Sequence, residues 1–144
     1  MQVMEILAQK GTDVATIRPD EPIGAAVDRL GEMRIGALVV TTDGSHIEGI
    51  VSERDIVRAL ASGQTDLMNQ PTSAIMTAEV ITCDLDDRVE ELMQLMTARR
   101  IRHLPVAPGG SLGGIISIGD VVKSRLAELE QEAKALEDYI RHGR

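Results

Sequence analysis

Residues 16–40 and 82–106 align without a gap, and what survives the comparison is the spacing of apolar side chains. Ile23 falls on Val89, Ala26 on Leu92, Val27 on Met93, Leu30 on Met96, Ile35 on Ile101, Leu38 on Leu104 and Val40 on Val106. These positions step by three and four residues as far as Leu30 and Met96, which predicts an amphipathic helix in each copy, and then by two, which predicts a strand. A duplication of this kind restricts the chain to folds in which one unit is built twice.

Turn-forming stretches, Thr41 to Ser45 and Ala107 to Ser111, follow each strand and lead into a second one. One gap further on the copies match again, as Gly49-Ile50-Val51-Ser52-Glu53-Arg54-Asp55 and Gly114-Ile115-Ile116-Ser117-Ile118-Gly119-Asp120. With a short strand at Thr16 and at Thr82, the expected unit is strand, helix, strand, strand, helix, an α/β (α+β) class. The expected divisions are 1–65 for the first repeat, 66–126 for the second with Asp66 to Thr72 as the link, and 127–144 for a C-terminal helical extension. A unit this small cannot cover a sheet face and two helix faces alone. The repeats should therefore pack together with pseudo-twofold symmetry and leave two related clefts.

Composition narrows what those clefts can hold. Aromatics are 1% of the chain, with Tyr139 alone, so a planar ligand must be gripped by aliphatic side chains and main-chain groups. A net charge of −8 argues against nucleic acid or an anionic membrane as partner, and any bound anion needs a local exception. The single cysteine, Cys83, excludes an internal disulfide framework. Met1 to Ile6 has no basic leader character and no apolar run approaches the ~18 residues of a membrane helix, so a cytoplasmic protein is expected.

Ser52-x-x-Asp55 and Ser117-x-x-Asp120 each stand where a strand meets a helix. One reading is structural: the serine caps the helix and the aspartate favours the positive end of its dipole. The other is that first-turn amides receive a phosphate while the carboxylate accepts both hydroxyls of a ribose diol.

On these segments the chain resembles the tandem cystathionine-β-synthase-type (CBS) domain pair, or Bateman module, through GIVSERD, GIISIGD, RIRHLPV and the repeat openings VMEIL and SAIMT. The resemblance implies a non-catalytic regulatory module binding AMP, ADP, ATP or NAD(H) between its repeats, in the service of energy or redox sensing. It assigns ribose to Asp55 and Asp120 and phosphate to Ser52 and Ser117. It brings the base to main-chain atoms near Thr16 and Ile17 or Thr82 and Cys83, and phosphates to Arg102 and His103, just before the Leu104-Pro105-Val106 strand. Gly36 and Ala37 occupy the corresponding positions of the first repeat, where Gly36 is expected to leave room for a larger ligand. Arg54, matched by Gly119, is a further phosphate candidate. For Arg99 and Arg100 the alternative is that they only offset the negative end of the preceding helix. Gly49 and Gly114 are expected to permit close backbone packing, and the seven methionines to fill the core.

The family commonly forms homodimers shaped as a flattened disc, and a regulated partner protein is implied but not identified. Leu126, Leu129, Ala133, Leu136 and Ile140 form a heptad-spaced seam that either braces such a dimer or packs on its own domain. Two readings compete with ligand sensing. One is a ligand-independent interaction scaffold in which Ser52, Asp55, Ser117 and Asp120 only cap helices. The other, a hydrolase or redox enzyme using Cys83 with His103, lacks an orienting acid and an oxyanion motif, and no His/Cys grouping has zinc-site spacing.

Overall fold

A computed structural model describes residues 1–143. Its elements run α1 (Val3–Lys10), β1 (Thr16–Ile17), α2 (Ile23–Met33), β2 (Ala37–Val40), β3 (Gly49–Ser52), α3 (Glu53–Ala61), α4 (Val89–Arg99), β4 (His103–Val106), β5 (Gly114–Ser117) and α5 (Ile118–His142). Short 3-10 turns at Leu67–Asn69 and Thr72–Ala74 carry the chain from one half to the other. The first half holds a sheet in the order β1-β2-β3, with β1 parallel and β3 antiparallel to β2. The second half holds the antiparallel pair β4-β5.

The strand expected at Thr82 is reduced to a single parallel bridge between Cys83 and Val106. In the first half Val39 donates its N–H to the carbonyl of Ala15, one rung of the β1-β2 ladder. The aligned donor in the second half is Pro105, which has no N–H, so that rung cannot form.

The helix α1, to which the sequence reading assigns no element, belongs to the core of the opposite half. Val3, Ile6 and Leu7 are buried among Val89, Leu92, Met96, Leu104, Val106, Ile116 and Val121. Conversely, Ile75 and Met76, which lead into the second half, pack against Ile17, Leu30, Leu38, Val51 and Ile56 of the first. The exchange is symmetric in backbone detail as well: Gln2 bridges Arg88, and Pro71 bridges Pro22.

Gly49 and Gly114 make this crossing possible. A Cβ on Gly49 would meet Met76 Sδ at 2.6 Å, and one on Gly114 would meet Leu7 Cδ1 at 2.9 Å. Each glycine sits under the segment arriving from the other half, and so serves close packing, the expected role.

The C-terminal extension is one helix with the last repeat helix rather than a separate piece. Within α5 only Val121 is buried, and Leu126, Leu129, Leu136 and Ile140 stand 55%, 45%, 60% and 68% exposed, so the seam does not pack on its own domain. Arg144, the end of the expected extension, lies outside the described residues. Among the described residues no helix is long and apolar enough to cross a membrane.

Candidate functional site

Strand β3 delivers Ser52 to the start of α3, and the helix winds Asp55 back beneath it. Asp55 Oδ2 accepts from the Ser52 N–H at 2.9 Å and from the Ser52 hydroxyl at 3.0 Å, while Ser52 Oγ accepts from the Asp55 N–H at 3.3 Å. The same reciprocal cap starts α5, where Asp120 Oδ2 accepts from the Ser117 N–H at 2.9 Å and Ser117 Oγ accepts from the Asp120 N–H at 3.1 Å. The capping function of both motifs is thus present in full.

Beside Asp55 lies a cleft of about 450 Å³ between the halves, within the size range of small-ligand sites. Of the residues expected from sequence it gathers Gly36, Ser52, Arg54, Asp55, Arg102 and His103. Arg58, Arg99 and Arg100 join them, giving a concentration of guanidinium groups in a chain of net charge −8. Arg54 spans the cleft, its Nη1 donating to the Arg100 carbonyl at 3.0 Å. Glu53 and Glu79 supply the opposing charge, and Ile50, Thr77, Val80, Ile81 and Ile101 an apolar and main-chain wall.

The amides at the start of α3 are less available than the motif suggests. Glu53 N–H is taken by the Gly36 carbonyl at 3.0 Å and Asp55 N–H by Ser52, so two first-turn amides of α3 already have partners. Both arginines of the helix alternative prove to have two positions at once. Arg99 is in the last turn of α4 and Arg100 caps it, and both line the cleft.

The remaining expected residues fall elsewhere. Thr16 and Ile17 form β1, where the Thr16 carbonyl accepts from Arg29 at 2.8 Å and the Ile17 carbonyl from Thr41 N–H at 2.9 Å. Ala37 and Pro105 are buried in their strands, and Thr82 is exposed beside the cleft wall formed by Val80 and Ile81. Cys83 is buried in the second core with both main-chain groups committed to Pro105 and Ala107. Burial, with Asp87 and Asp84 nearby, pushes its thiol up to about 12, so it carries no thiolate at neutral pH. Ser117 pairs in register with His103 at the start of α5, and there the Lys10 ammonium reaches Asp120 Oδ2 at 2.6 Å.

Gly36 lines the cleft where His103 and Glu53 approach its backbone closely. A Cβ there would lie 3.0 Å from His103 Cε1 and 3.1 Å from Glu53 Oε1, so the missing side chain is replaced by those two residues. Burial, followed by the nearby Lys10, lowers the His103 pKa and keeps the imidazole neutral, although Glu53 and Asp120 pull the other way.

Sequence reasoning missed Arg58, Glu53 and the segment from Thr77 to Ile81. Arg58 was accessible in principle, since it lies one helical turn beyond Arg54 on the same face. Beyond Thr77, which ends the SAIMT opening, the segment carries no motif, and it reaches the site only through the crossing between halves.

Comparison with known proteins agrees with this architecture. The family profile of the CBS domain matches residues 3–62 and 73–127. A mitochondrial CBS domain-containing protein of Arabidopsis thaliana is 36% identical over 128 residues, which span 86% of this chain but 62% of that protein. The crystal structure of a CBS-domain containing protein of Agrobacterium tumefaciens superposes with a TM-score of 0.83 at 44% identity, covering 87% of this chain and 99% of the other. A CBS domain protein of Pyrobaculum aerophilum, solved in complex with AMP, superposes with a TM-score of 0.78 at 27% identity, covering 92% and 99%.

Proposed function

The chain belongs to the CBS domain family, and we propose that it is a regulatory module that binds an adenine nucleotide in the cleft beside Asp55. The Asp55 carboxylate accepts the ribose hydroxyls, because its Oδ2 carries only local bonds from Ser52. The arginines at 54, 58, 99, 100 and 102 receive the phosphates, and the aliphatic wall of Ile50, Val80, Ile81 and Ile101 receives the base. The observation that carries the reading is this concentration of five guanidinium groups against three carboxylates in an acidic chain. It favours ATP or NADH over AMP, since each added phosphate meets a further cation. The AMP complex of the Pyrobaculum relative supports the ligand class. A change of ligand alters how the halves pack, and the signal passes to a separate protein or to a second copy of the module.

Calorimetric titration with AMP, ATP and NADH tests this directly. Saturable heat is expected, and Asp55→Asn should weaken binding by about 1.5–3 kcal/mol, the range for a hydrogen bond to a charged group. The competing reading, a ligand-independent scaffold, draws support from the complete caps at Ser52 and Ser117. It requires no heat with any nucleotide, and equal loss of stability in Asp55→Asn and Asp120→Asn.

A further inference from the structure

Lys10 ends α1 with its ammonium laid against the second half, 2.6 Å from Asp120 Oδ2 and 2.9 Å from the carbonyl oxygen of Ile115. The first half has no such arrangement. Ile50, the residue aligned with Ile115, gives its carbonyl to the Thr77 N–H at 2.9 Å, and the acidic Glu79 lines that cleft. The cause is local: α1 stays helical through Lys10 and can reach only with a side chain. The lead-in to the second half makes one 3-10 turn at Thr72–Ala74 and then pairs with Ile50 by backbone.

We propose that Lys10 is a specificity-determining residue, its ammonium occupying the Asp120 carboxylate so that each chain takes one nucleotide, at Asp55. This rests on the reading of the Asp55 cleft given above. In each motif one carboxylate oxygen already accepts two bonds, but at Asp55 both come from the uncharged Ser52 beside it, whereas at Asp120 one comes from the Lys10 ammonium. A ribose hydroxyl bond to the carboxylate would be charge-assisted too, but the hydroxyl carries no charge of its own and would have to displace an ammonium that does. The pair is partly shielded from solvent, at 34% and 25% side-chain exposure. Burial opposes ionisation of Asp120, but Lys10 and the Ser117 amide outweigh it and hold the carboxyl below its usual range.

Titration with AMP by calorimetry separates the possibilities. Wild type should bind one AMP per chain and lose it in Asp55→Asn. Lys10→Met should bind two, and Lys10→Met combined with Asp120→Asn should return to one. Two sites in wild type, or one unchanged site in Lys10→Met, would overturn the proposal. A site gained in Lys10→Met and lost with Asp120→Asn, with Asp55→Asn silent throughout, would uphold the role of Lys10 and sink the Asp55 reading. No heat from any variant would sink both. A measurement without nucleotide checks the contact: acylation of the Lys10 amine, followed by mass spectrometry, should run at least ~10-fold slower than that of Lys134, and Asp120→Asn should abolish the difference. Equal rates in wild type would contradict that contact.

Discussion

A residue other than glycine in the left-handed region ends α2 and α4 alike: Arg34 at φ 54° and Arg100 at φ 55°. Ile35 and Ile101 then close each helix by donating to Leu30 and Met96. Relieving this backbone with glycine should raise stability by about 1 kcal/mol or less, since the gain in φ freedom is offset by a looser unfolded chain. Arg34→Gly and Arg100→Gly should therefore shift Tm alike, whereas only Arg100→Gly should weaken ATP binding, because only Arg100 lines the Asp55 cleft. His103 offers a pH test. Its folded pKa lies below 6.5, so its contribution to stability is complete above that value and is lost as pH falls, when the unfolded chain takes up a proton the folded chain refuses. Urea unfolding at about pH 7.5 and pH 5.5 should show a larger loss for wild type than for His103→Gln. The serines and aspartates of the two caps were legible from sequence because their partners are three residues away. Lys10 was not, because its partner is 110 residues distant and no local pattern announces it.

At the level of elements, the helix-to-strand switch in both copies was readable because α2 and α4 each bury one face of their own half, at Ala26 and Leu30 or at Leu92 and Met96. The first strand of the second half failed for a nameable reason, the imide nitrogen of Pro105. The short helix α1 was illegible because the surface it covers belongs to residues 89–121. Its contribution is measurable: Ile6→Ala should cost about 2–4 kcal/mol in urea unfolding, as for other buried aliphatic truncations. The far end of α5 should behave in the opposite way. Ending the chain after Glu128 removes, among the described residues, only exposed side chains, and should change the unfolding free energy by less than about 0.5 kcal/mol.

For the whole molecule, the two halves are not independent modules set side by side. Each core is completed by a segment that the chain order assigns to the other, Val3, Ile6 and Leu7 in one direction and Ile75 and Met76 in the other. A break between Ser62 and Gly63 should give two fragments that lack cooperative unfolding when alone and regain it when mixed, as followed by circular dichroism. Duplication and pseudo-symmetry could be read from the aligned repeats, but the exchange could not, since alignment records likeness and not adjacency.

The exchange also bears on how the protein is made. On the ribosome α1 emerges well before β5 and the start of α5, which supply Ile116 and Val121 against it. Until those partners follow, more than a hundred residues later in the chain, the nascent polypeptide must carry the apolar side of α1 uncovered or on a provisional partner.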